Sequence, residues 1–128
     1  MADYAEVSNA FAHYASAMDD NDFETLRSVF TDDAVFTVDI TGGPTVGPYE
    51  TADAIVEFIS STTEDQQDQR RHVITNIRLD GDTAYGVLSL FVTADGELTV
   101  QSTGVYKVTL AGGSAQFSNM YLTLDRPY

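Results

Sequence analysis

The sequence contains no cysteine, and that absence removes disulfides, thiolate nucleophiles and cysteine-ligated zinc together. Positive charge is nearly absent as well. Lys107 is the single lysine, and 6 basic residues face 20 acidic ones, for a formal net charge of −14. Nucleic acid and anionic membrane both require a basic footprint, so neither is expected as a partner. An anionic substrate is disfavoured too, unless Arg70, Arg71 or Arg78 gather at one site. No apolar run approaches the length of a membrane span. The start, Met1 to Glu6, carries neither the basic nor the apolar stretch of a secretion leader. A cytoplasmic location is therefore expected, and the lack of cysteine suits a reducing compartment.

Metal and phosphate-loop signatures are missing in the same way. There is no His-x-x-x-His, and Asp19 to Glu24 lacks the glycine of a calcium loop. Gly42-Gly43-Pro44 lacks the lysine and following helix start of a phosphate loop, and reads as a turn. No metal and no cofactor are expected.

The 128 residues, 43% of them hydrophobic, suffice for one packed core, so residues 1–128 read as one domain. Tyr4, Val7, Phe11, Tyr14 or Ala15, and Met18 recur at helical spacing, with Asp3 and Glu6 placed for a capping box. Asp19 to Asp22 breaks that pattern and offers N-cap oxygens to a second helix. In it Phe23, Leu26, Arg27 and Phe30 share a face, and Thr31-Asp32-Asp33 closes it. Ala34 to Ile40 is β-branched and aromatic, a strand. Thr41 to Pro44 and Gly47-Pro48 read as loop. Thr51 caps a third helix bearing Ile55, Phe58 and Ile59, and Ser60 to Gln69 reads as a polar loop.

From Arg70 onward the pattern is a β-meander, with strands at about 70–79, 83–94, 97–110 and 115–124. The separators Asp80-Gly81-Asp82, Asp95-Gly96-Glu97 and Ala111-Gly112-Gly113-Ser114 are hairpin turns. Strands this long must twist and curl. The predicted class is α+β: three N-terminal helices on the concave side of a curled, mostly antiparallel sheet, enclosing a cone-shaped pocket.

Three stretches carry a family resemblance. Tyr14 to Arg27, with its Tyr-Ala, Asp-x-x-Asp-Phe and Leu-Arg, resembles the first helical hairpin of SnoaL-like proteins and scytalone dehydratases. Arg71-His72-Val73-Ile74-Thr75-Asn76 resembles their Arg/Gln-His strand. Gly104 to Val108 and Leu122 to Pro127 resemble their last two strands. The resemblance implies the NTF2-like cone and, at Asp19 and His72, the carboxylate–imidazole pair of scytalone dehydratase and hexachlorocyclohexane dehydrochlorinase. Where that family has tyrosines, this chain has Met18 and either Val38 or Ile40. A second family histidine falls near Thr93 or Ala94, and the pocket asparagine at Ser102.

His72 is thus the main candidate, because an imidazole can take and return a proton near neutral pH. Asp19 would fix its tautomer, and Asp20, Asn21 and Asp22 suffice to cap the next helix without it. His13, off the helix stripe, is expected to be exposed. Tyr14, Phe36, Tyr49, Phe58, Tyr106 and Tyr121 are core aromatics of which about half should line a cone. Asn119 is a polar group between Phe117 and Tyr121, directed at ligand or backbone.

The expected function is a cofactor-independent dehydratase, isomerase or cyclase. Its substrate is a small, largely apolar hydroxy or carbonyl compound, and the resemblance implies polyketide- or terpenoid-type intermediates. The rival is a non-catalytic binding or assembly module of the same fold, which the missing tyrosines favour. A weaker third reading is an accessory subunit like the small subunit of ring-hydroxylating dioxygenases. Apolar positions such as Val87, Leu88, Leu90 and Phe91 on the sheet's outer face would favour a homo-oligomer, a dimer or trimer.

Overall fold

In the computed structural model, which describes residues 2–127, the chain enters α1 (Tyr4–Asp20) through a reciprocal capping box. Glu6 N–H donates to Asp3 Oδ1 at 2.9 Å, and Asp3 N–H to Glu6 Oε1 at 3.2 Å. Val7, Phe11, Tyr14, Ala15 and Ala17 form the buried stripe. Tyr4 does not join it and stays exposed. Asn21, in the left-handed region at φ 53°, ends the helix.

Asp22 is the N-cap of α2 (Phe23–Ser28). The Thr25 hydroxyl, and then the Thr25 backbone N–H, hold its carboxyl below the usual carboxylate range. This helix stops earlier than its apolar spacing suggests. Phe30 and Thr31-Asp32-Asp33 already belong to β1 (Phe30–Ile40), because Phe117 N–H donates to Val29 O at 2.9 Å and draws the chain into the sheet. Tertiary pairing overrides local helical spacing here.

The segment read as loop contains a strand, β2 (Thr45–Glu50), which pairs antiparallel with β1. It lies at the sheet edge, where Pro48, lacking an N–H, is tolerated. Thr51 Oγ1 then accepts the Ala54 N–H and caps α3 (Ala52–Thr63). The polar run at its end remains helical. The hydroxyls of Ser60, Ser61, Thr62 and Thr63 donate back to Glu57 O, Phe58 O and, from both threonines, Ile59 O.

The meander follows as β3 (Gln69–Asp80), β4 (Thr83–Ala94), β5 (Glu97–Leu110) and β6 (Phe117–Leu124). Together the strands form one sheet in the order β2-β1-β6-β5-β4-β3, antiparallel except for the parallel pair β1/β6. The inward phase carries Leu88, Tyr106, Val108, Met120, Leu122 and Leu124, all buried. Leu88 and Leu90 therefore belong to the inner face, not the outer one. Outside, Val73, Val105 and Tyr121 are 40%, 42% and 38% exposed. In β3 the register slips between Thr75 and Arg78, with Asn76 at φ 53°. Ile77 and Leu79 thereby keep facing the core.

The β5 and β6 backbones approach closely at Gly104. A Cβ there would lie 2.4 Å from the Thr123 carbonyl oxygen, which the β5–β6 ladder holds in place. Gly104→Ala is expected to cost about 1–3 kcal/mol by overpacking. Thermal unfolding measures it, and an unchanged midpoint would show that the strands can separate there without loss.

Candidate active site

Between α1, α3 and the concave face of the sheet lies a cavity of about 430 Å³, within the range of small-molecule sites. Its walls are mostly apolar: Met18 from α1, Phe36, Val38 and Ile40 from β1, Val46 from β2, Phe58 and Ile59 from α3, and Leu88, Leu90, Val92, Leu122 and Leu124 from the sheet. The polar part of the lining comes from Thr62, Thr63, Gln66, Asp68, Arg70, His72, Gln101 and Ser102.

β3 is an edge strand, and α1 packs against it. Asp22 does the capping of α2, so Asp19, at the end of α1, is free to turn to that edge. Its Oδ1 accepts two bonds, the His72 backbone N–H at 2.9 Å and the ring Nδ1–H at 2.7 Å. The carboxylate acceptor assigns the ring proton to Nδ1 and leaves Nε2 as the basic nitrogen. The side chains of His72 and Asp19 are only 7% and 8% exposed. His72 lines the cavity, whereas Asp19 lies behind it and lines, with His72, a separate hollow between α1 and β3. Tyr14 meets the imidazole edge-on with ring centroids 6.5 Å apart, and its hydroxyl lies 3.1 Å from that of Tyr106.

Of the residues expected to contact a ligand, Tyr14, Phe36, Phe58, Tyr106 and Ser102 line the cavity. Tyr49, Asn119 and Tyr121 do not. Tyr49 stacks on Phe58 at 4.1 Å between centroids and backs the wall from outside. β6 turns Met120, Leu122 and Leu124 inward, so Asn119 and Tyr121, out of phase with them, take the opposite face. Tyr121 OH donates there to Asp39 Oδ2 at 3.4 Å. His13 is exposed, as its helix position implies.

The sequence reading missed two polar contributors. Arg70 is one; its side chain is 7% exposed, and among the described residues it is the one cation on the cavity. Its phase with His72 on β3 was a visible signal. Arg71 faces out, and Arg78 lies over the Tyr85 ring at 4.2 Å. Gln101 is the other. The β4–β5 register runs Leu90↔Ser102 and then Phe91↔Val100, so Gln101 is an extra residue and lines the cavity beside Ser102. Strict alternation cannot reveal such a bulge. Among the described residues no three histidine, aspartate or glutamate side chains are grouped to hold a metal.

A family model described as a SnoaL-like domain matches residues 1–116. The chain is 26% identical to a Catenulispora acidiphila protein whose structure was solved in complex with S-DNPA, covering 95% of this chain and 92% of that one, with a TM-score of 0.78. Its similarity to ActVI-ORFA from Streptomyces coelicolor is 22% identity over 95% and 97% of the two chains, TM-score 0.79. An NTF2-like protein with a cystatin-like fold from Novosphingobium aromaticivorans shares 19% identity over 98% and 84%, TM-score 0.71. No curated protein sequence matches this chain.

Proposed function

The chain belongs to the SnoaL-like domain family, and from that premise and the site geometry we propose that it is an acid–base enzyme needing no cofactor. The substrate is a small, largely apolar hydroxy or carbonyl compound, of polyketide or terpenoid type, held in the cone. His72 Nε2 takes a proton from carbon next to the carbonyl; the C–H electron pair forms a C=C bond and the carbonyl π pair moves onto oxygen, giving an enolate. The imidazolium then returns that proton. Delivery to a β-hydroxyl expels water and forms a double bond; delivery to another carbon isomerises the molecule. Attack of the enolate on a second carbonyl, with the proton passed to the new alkoxide, closes a ring. Each course is balanced by proton transfer alone.

One observation carries this reading: an imidazole bonded to a carboxylate at 2.7 Å, both side chains nearly buried, with the ring bordering an apolar cavity. The test is proton exchange in D₂O, followed by NMR, over small bicyclic ketones and β-hydroxyketones. The parent protein should exchange α-protons or release water with at least one of them. If none reacts faster with the parent than with His72→Gln, the proposal is wrong.

A second reading, a binding module without turnover, draws on Met18, Val38 and Ile40, which line the cavity where the similar dehydratases place or flank hydroxyls. It predicts saturable ligand binding with no exchange. Self-association would use the exposed outer-face residues Val73, Val105 and Tyr121. Light scattering at micromolar concentration should then give a dimer or trimer, and a monomer would exclude this.

A further inference from the structure

Arg70 has more donors than partners. Its Nη2 donates to Asn21 Oδ1 at 2.7 Å, while Nε and Nη1 are buried with no hydrogen-bond partner. Asp68 Oδ1 lies 3.5 Å from Nε, an ion contact without hydrogen-bond geometry, and that oxygen is itself unpartnered. Buried guanidinium N–H groups are rarely left in this state unless something else binds them. Across the sheet, the buried Ser102 Oγ also lacks a partner.

We infer that Arg70 is the oxyanion-holding residue of this cavity, binding a substrate oxygen that carries or acquires negative charge. Arg70 and His72 share the inward face of β3 two residues apart, about 6.5–7 Å along the strand. Two side chains at that spacing can close over one small molecule, one holding an oxygen and the other reaching an adjacent C–H. Asn21 holds the guanidinium from behind, and the Asn21 amide in turn donates to Thr63 O at 3.4 Å. The donors are thus set in place before the ligand arrives. Asp68 offsets the resting charge, and the chain carries −14 overall. The site therefore suits a neutral carbonyl that becomes an enolate better than a substrate entering as a full anion. Met18, Val38 and Ile40 offer no hydroxyl at their positions, and among the described residues Arg70 is the one cation on the cavity. The enolate step rests on the acid–base reading above; the affinity for an oxyanion does not.

The probe is 2-naphthol, an aromatic mimic of the enol of a bicyclic ketone, with more acidic ring-substituted 2-naphthols and naphthalene for comparison. Affinities are measured by calorimetry at fixed pH. In the parent, affinity should rise with naphthol acidity, and the most acidic member should bind at least about tenfold more tightly than naphthalene. Arg70→Met should remove that dependence, Arg70→Lys should keep part of it, and Arg71→Met, on the outer face, should keep all of it. A flat series in the parent, or an unchanged dependence in Arg70→Met, overturns the proposal and leaves Arg70 a strut between Asn21 and Asp68. Should Arg70→Met not fold, the Arg70 Nε–Hε resonance of the parent decides. It should move downfield with the naphtholate, and a resonance that stays in place overturns the proposal. A series that responds to Arg70 while no ketone exchanges its protons retains the oxyanion site and removes the enzyme.

Discussion

His72→Gln is expected to lower turnover by about 10² or more while leaving substrate affinity nearly unchanged. Glutamine is close in size and still offers a hydrogen-bonding head to Asp19, so the β3 edge and the cavity wall should survive. What disappears is a nitrogen that accepts a proton and then gives it back. The loss must therefore fall on kcat rather than KM, because the base acts on the reacting C–H and contributes little to holding the ligand. Equal kcat in the two proteins would end the mechanism even if the ligand sits where the cavity indicates.

Asp19→Asn should cost a comparable factor by a different route. The asparagine oxygen can still accept the His72 backbone N–H, so the tie between α1 and the β3 edge persists and unfolding should change little. The amide can also present its NH₂ to the ring. That favours the tautomer with the proton on Nε2, where the base should be, and removes the charge that stabilises the imidazolium once the proton is taken. A fall of about 10² in kcat is the expected result. The decisive comparison is the double variant. Two residues acting as one unit give non-additive losses, so Asp19→Asn should add little to His72→Gln. Multiplying losses would mean that Asp19 acts somewhere other than on the imidazole.

Much of this was legible in the residues. The capping box at Asp3 and Glu6, the threonine cap at Thr51 and the three Gly-containing turns are local chemistry, and the structure has each of them. The strands β4 and β5 lie where their patterns place them. The three expected helices are present, and the sheet curls as their length requires. Asp19 and His72 were visible as candidates through the Asp-x-x-Asp-Phe stretch and the Arg-His strand, and the fold sets their side chains 2.7 Å apart. Their catalytic role stays with the proposal above.

Other features were decided between segments remote in sequence. Phe30 continues the helical spacing of α2, yet β6 pairs with it at Phe117 in a parallel ladder. Gly47-Pro48 reads as loop, yet β1 supplies an edge on which Thr45 to Glu50 can pair. Asn119 and Tyr121 resemble pocket residues until the phase of β6 sends them outward. Of the three arginines the sequence offered for a site, Arg70 is singled out only when Asn21, 49 positions away, takes hold of its guanidinium within the protein. Composition, caps, turns and periodicity act over a few residues, so the sequence by itself determined most of the elements, their turns and the net charge. Strand pairing, bulges and burial depend on which distant backbone arrives alongside, and only the tertiary structure could decide which side chains meet in the cone.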